Sequence, residues 1–169
     1  MGKFRGNIAK SWLRNTEAYM TDPAKYFDDI NKFLYRYTPT HFRFHVGGDI
    51  PNVGYFSHLV VTTIRHPTTR FVVFTKKFSI INEMYKDLGN TNNLRVMLSA
   101  WPHENSTRLK EFFIAMTEAR AHPFKMGVAW QEKDARIGML DYKSQKCAGS
   151  CHVCKLCWDS DSDVILYKH

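Results

Sequence analysis

The chain has 169 residues, 44% of them hydrophobic and 14% aromatic, which suits one domain with a buried core and excludes a disordered chain. Its net charge is +8 and its pI about 9.4, so an anionic partner is admissible, although Lys and Arg are spread along the sequence rather than gathered into a nucleic-acid-binding arm. The opening segment Met1 to Gly6 holds no apolar signal core and no run of membrane-spanning length follows, so the expectation is a cytoplasmic protein without membrane contact.

Taken in chain order, the first clear helix begins at Asp22-Pro23, an N-cap followed by proline at the first helical position. Its apolar stripe is Tyr26, Phe27, Ile30, Phe33 and Leu34. A short β-type run, residues 42–46, ends in Gly47-Gly48-Asp49. A second helical stripe follows in Tyr55, Phe56, Leu59, Val60, Thr63 and Ile64. Residues 70–75 form the next strand pattern, ending at Lys76-Lys77. The third stripe is Ile80, Ile81, Met84, Tyr85 and Leu88, with Ser79 as candidate N-cap and Gly89 as stop. Strand patterns at 94–99 and 125–130 flank a fourth stripe, Leu109, Phe112, Phe113, Met116 and Ala119. Residues 134–144 read as a loop, and 164–167 as a last short strand. Each strand pattern is rich in β-branched or aromatic residues between turn formers.

Alternation of strand and helix predicts right-handed βαβ crossovers, hence an α/β fold with a mostly parallel sheet of βα repeats. About four units fall short of a closed eightfold barrel, so the reading is a half-barrel or an open sheet within a single α/β domain over 1–169. In such folds ligands collect at the carboxyl ends of the strands. The polar residues there are His45, Gly47, Gly48, Asp49, Thr75 and Lys76, with Ser99, Trp101, Trp130 and Gln131 beyond them. The glycines permit close backbone approach, Asp49 accepts hydrogen bonds, and Lys76 neutralises a carboxylate or phosphate. The plainer reading makes Asp49 the cap of the next helix and Lys76-Lys77 a solvated helix start.

All four cysteines lie within one run, Cys147, Cys151, Cys154 and Cys157, spaced C-x3-C-x2-C-x2-C. Thiolates repel one another, so a group of them calls for a cation. Zinc usually takes two C-x2-C pairs set well apart, whereas consecutive short gaps resemble a ferredoxin-type run around a [4Fe–4S] cube, with the gap order reversed. The first three also match the spacing of radical S-adenosylmethionine enzymes, where the motif stands near the N-terminus instead. An iron–sulfur (4Fe-4S) cluster is therefore the first expectation, structural Zn the second, and free or disulfide-bonded thiols the third. Residues 145–158 are the expected Cys-rich metal knuckle, with His152 inside it as a substitute ligand. The sequence lacks G-x-S-x-G, phosphate-loop, H-E-x-x-H and dinucleotide fingerprints, and whether it is an enzyme stays open.

With the segment from Phe42 to Asp49, the segment from Phe71 to Lys76 and the closing Cys154-Lys155-Leu156-Cys157-Trp158 in view, the chain resembles the phage "gene product 88" family. Members look like a strand ending in H-x-G/S-G-D, a later strand ending Y/F-T-K, and a terminal cysteine group closing in C-W. The resemblance implies a bacteriophage or mobile-element origin, hence a viral protein in the host cytoplasm. It further implies a reduced, radical-enzyme-like α/β core with an iron–sulfur or zinc site. The alternative expectation is a non-catalytic basic protein, stapled by its metal, that binds nucleic acid or a host nucleic-acid-handling complex in an anti-defence role.

Overall fold

The computed structural model describes residues 2–45, 48–86, 91–100, 106–121, 125–137 and 143–166. Two helices open it, α1 (Gly2–Thr21) and α2 (Pro23–Tyr37). Four strands then alternate with helices: β1 (His41–Phe44), α3 (Val53–Arg65), β2 (Arg70–Thr75), α4 (Phe78–Met84), β3 (Leu94–Ser99), α5 (Ser106–Ile114) and β4 (Met126–Gln131). The chain continues through β5 (Ser144–Lys146), α6 (Cys151–Cys154) and α7 (Leu156–Asp159) to β6 (Asp163–Leu166).

Local chemistry sets several boundaries. Asp22 caps α2 by accepting from the Lys25 amide at 2.9 Å, with Pro23 at the first helical position. Asn52 caps α3 by accepting from the Tyr55 amide at 2.8 Å, so Asn52 rather than Asp49 starts that helix. Helix α4 begins a residue before the expected cap: Lys77 holds the cap position and Ser79 lies inside the helix. The fourth stripe runs on from α5 into a π-helical turn at Ala115–Ala119. The expected stop at Gly89 falls outside the described residues, as does Trp101.

All six strands pair in parallel, in the order β1-β2-β3-β4-β6-β5. The sheet is open, as the α/β reading anticipated. Side chains alternate across it. Phe44, Phe71, Val73, Leu94, Val96, Leu98, Val128 and Trp130 point to one face, where Phe27, Leu34, Phe56, Leu59, Phe78, Ile81, Phe112 and Met116 bury them. Burial of this kind contributes about 1.5–3 kcal/mol for each large side chain.

Strand order explains where the cysteines go. From β1 through β4 each crossover steps in one direction, so right-handed connections put α3, α4 and α5 on one face. Strand β6 then inserts between β4 and β5. The β5-to-β6 crossover, which carries all four cysteines, steps backwards, and the same handedness lays it on the opposite face. There Cys157, Cys147, Leu156 and Trp158 pack against Val72, Phe74, Met97, Ala129, Val164 and Leu166. The stretch read as a loop at 134–144 thus ends by entering a strand, and the last strand is the inserted one.

Candidate functional site

The cysteine crossover is fastened to the sheet by polar contacts from residues far away in sequence. Arg95, the second residue of β3 and 3% exposed, donates from Nη1 to the carbonyls of Leu156 at 3.2 Å and Cys157 at 3.5 Å. Its Nη2 donates to the Ser162 carbonyl at 2.6 Å. The Trp158 indole N–H donates to the Phe42 carbonyl at 3.0 Å. Asp159 Oδ1 meets Arg70 Nη1 at 2.6 Å and His41 Nε2 at 3.3 Å. Gly127 makes room for this arrangement: a Cβ there would stand 2.6 Å from Arg95 Nη2 and 3.0 Å from Met97 Sδ.

Within the crossover the thiols differ in exposure. Cys157 is buried, Cys147 and Cys154 are half-buried, and Cys151 is exposed; all four are free. Cys147 Sγ accepts from the Gly149 amide at 3.3 Å, where Gly149 takes φ +77. Lys155, between α6 and α7, is also left-handed at φ 50, so the chain turns sharply after Cys154. Burial pushes the Cys157 thiol up to about 11, Cys147 and Cys151 raise it further, and Arg95 and Arg43 oppose them. A buried thiol beside other thiols resists ionising unless a cation arrives. Among the described residues, no three His, Cys, Asp or Glu side chains stand in an arrangement that holds a metal ion as it is. The side chain of His152 lies outside the described residues.

The strand-end residues are brought together in part. Asp49 Oδ1 accepts from Thr75 Oγ1 at 2.6 Å and from the Ile50 amide at 2.7 Å, and Oδ2 accepts from the Lys76 amide at 2.8 Å. Thr75 Oγ1 in turn accepts from the Lys77 amide at 2.9 Å. Asp49 is thus a latch between the segment after β1 and the end of β2, with both carboxylate oxygens engaged. His45, left-handed at φ 54, turns its ring to Tyr55 at 5.1 Å between centroids, and its buried Nε2 has no hydrogen-bond partner. Burial, and then Arg43, hold His45 below the ordinary histidine range, against the pull of Asp49. Gly48 takes φ +89, the positive φ expected of the glycine pair; Gly47 lies outside the described residues.

A buried charge cluster supports the inserted strand. Asp163, 2% exposed, accepts from the Val128 amide at 2.9 Å, the Trp130 indole at 3.0 Å and Arg120 at 2.8 Å. Sequence reasoning missed Arg95 and Asp163. The available signal was a charged residue inside or opening an otherwise apolar strand.

The model of the family described as gene product 88 matches residues 2–160. The chain belongs to that family. The match takes in both strand-end segments and the entire cysteine run, and places this gene product 88 member among bacteriophage gene products, as its resemblance implied. No curated protein and no solved structure matches it at a significant level. No helix among the described residues of this gene product 88 chain is long and apolar enough to cross a membrane.

Proposed function

We propose that this gene product 88 member is a metal-binding protein whose Cys147, Cys151, Cys154 and Cys157 hold a thiolate-ligated centre, an iron–sulfur cluster in preference to zinc. The observation that carries the reading is the clamping of the thiol-bearing crossover to the sheet by Arg95, which gathers all four cysteines of the chain on one face with Cys157 buried against it. Cys157 and Cys147 pack in the apolar cluster on that face, whereas Cys151 is exposed and adds nothing to it, so packing does not account for all four thiols. Bound there, the centre would supply positive charge to the thiolates and, for a cluster with one iron free of cysteine, electron-transfer chemistry. The protein's own contribution is to orient the crossover and to keep water from Cys157. Purification without oxygen, followed by metal and sulfide analysis and electron paramagnetic resonance, tests the proposal. Iron with acid-labile sulfide is the expected result. One zinc per colourless chain would select the alternative metal, and metal-free protein with four titratable thiols would overturn the reading.

The second reading, a basic interaction protein that binds nucleic acid or a host nucleic-acid-handling complex in an anti-defence role, draws on the surface of α1 and α2. Lys10, Arg14 and Arg36 are exposed there, beside Trp12, Tyr35 and Tyr37, which are 48%, 64% and 57% exposed. Exposed cations interleaved with aromatic rings suit a phosphate backbone and its bases. Binding to single-stranded oligonucleotides that falls steeply with salt would support it, and salt-independent binding or none would remove it.

A further inference from the structure

Helix α1 is long for the little it buries. Its 20 residues span about 30 Å, yet from Ala9 to Thr21 only Tyr19 is buried, its hydroxyl donating to Asn52 Oδ1 at 3.1 Å. A helix that opens with Gly2 and Gly6 is weak in water by itself and depends on whatever packs against it. Exposed apolar side chains gather on the same pair of helices: Trp12, Leu13 and Met20 of α1 and Phe33 of α2. Such residues collected together, rather than scattered singly, mark an interaction surface.

Between the two helices runs a groove of about 790 Å³. Ala18 of α1, Tyr26, Ile30 and Phe33 of α2 and Phe42 of β1 give it apolar walls. Charged side chains stand along it. Lys25 and Asp29 satisfy each other at 3.0 Å, whereas Arg14, Glu17 and Asp22 enter no ion pair among the described residues. The sequence sorts its charges by position. Residues 2–14 carry Lys3, Arg5, Lys10 and Arg14 and no carboxylate, and residues 15–30 carry Glu17, Asp22, Asp28 and Asp29 against Lys25 alone. The first half of α1 is therefore basic, and the segment from Glu17 to Asp29 that borders the groove is acidic.

A partner that fits must bring a basic helix with apolar side chains to an apolar groove with an acidic border. This chain carries both parts, which is the condition for an isologous contact, where one surface meets itself across a twofold axis. We infer that the groove between α1 and α2 is the interface of a homodimer, in which the α1 helices of two copies run antiparallel and each lays its basic first half along the acidic border of the other. A twofold axis passing between Asn15 and Thr16 sets Arg14 of each copy opposite Glu17 of the other, so both unpaired charges are answered twice. The exposed apolar side chains of α1 and the walls of the groove are covered in the same step. The inference does not depend on the metal. It claims the surface on which the nucleic-acid reading draws, so oligonucleotide binding enters the test.

The test is the mass of the full chain by sedimentation velocity and light scattering, over a concentration series under reducing conditions, with metal content recorded at each point. The expected result is a dimer that weakens as salt rises. Arg14→Glu and Glu17→Arg each set like charges against one another at both ends of the contact and should weaken the dimer at least about tenfold. The double variant Arg14→Glu/Glu17→Arg should restore it. Phe33→Asp should weaken it at least about tenfold as well, while Ile64→Asp, at an exposed apolar residue of α3 outside the groove, should leave the mass unchanged. Circular dichroism checks the fold of each variant, and the charge variants at exposed positions decide the matter should Phe33→Asp fail to fold. A monomer at every concentration up to about 100 μM would overturn the inference. So would a dimer unmoved by Arg14→Glu and Phe33→Asp, or one that comes apart when metal is removed from a chain that stays folded. Failure of the double variant to recover the mass would overturn the antiparallel pairing. A monomer that binds a single-stranded oligonucleotide, with binding lost in Arg14→Glu, would give the surface to nucleic acid instead. Because metal content is measured separately, a dimer without metal counts against the cysteine proposal alone.

Discussion

The two faces of the sheet are stabilised by different means. The helix-bearing face is a broad apolar core to which α2, α3, α4 and α5 each contribute buried side chains. The other face is covered by a single crossover, and its apolar contact is a small cluster around Cys157. Directed bonds from Arg95, Trp158 and Asp159 supplement that cluster. A distributed core tolerates the loss of one contact in proportion to the volume removed, whereas a clamp fails at a point. The difference teaches where this family member can be altered without losing its thiols. Stability depends chiefly on the first face, and accessibility of the cysteines on the second.

The largest expected effect belongs to the first face. Phe71→Ala removes a ring that is 1% exposed and should cost about 3–5 kcal/mol in urea unfolding. In the fraction that stays folded, the reactivity of Cys157 toward a thiol reagent should be unchanged. Arg95→Met should cost less, about 2–3 kcal/mol, since the methionine fills much of the volume while three carbonyls lose their donor. Its signature is different: Cys157 should label at least about tenfold faster, because opening the crossover by about 1.4 kcal/mol suffices for that. Equal labelling in the two variants would erase the distinction between the faces. Gly127→Ala pushes a methyl group into Arg95 and Met97 and should cost about 1–3 kcal/mol, again with faster labelling of Cys157.

The smallest effect is a pH dependence confined to the first face. Burial, then Arg65, holds His66 below the ordinary histidine range, while its Nε2 lies 3.0 Å from Asn31 Oδ1. Burial acts likewise on His45. The unfolded chain takes up protons on these residues that the folded chain resists. Stability is therefore full above about pH 6.5 and declines as the pH falls below it. Urea unfolding between pH 7.5 and 5 measures the slope, and His66→Gln should flatten it.

The same contrast separates what was legible in the sequence from what was not. The patterns at 70–75 and 94–99 match β2 and β3 residue for residue, and Asp22-Pro23 marked the start of α2. Those elements follow local rules: period, β-branching and caps. Helix α1 carries a weak apolar stripe and gave no such signal. The reversal that places β6 inside the sheet depends on pairing between strands, which no local window contains. Nor does any window reveal that Arg95 meets Ser162, 67 residues away. The strand-end group was legible in part: Asp49, Thr75 and Lys76 do meet, but as a latch whose oxygens are engaged.

The inserted position of β6 also bears on how the protein is made. While the ribosome is still releasing residues 144–166, β4 offers an unpaired edge to its surroundings, and β5 has nothing to pair with until β6 emerges. The last two strands and the thiol-bearing crossover must therefore dock together as one late unit. Nascent chains halted before that point would carry an open, sticky β-edge.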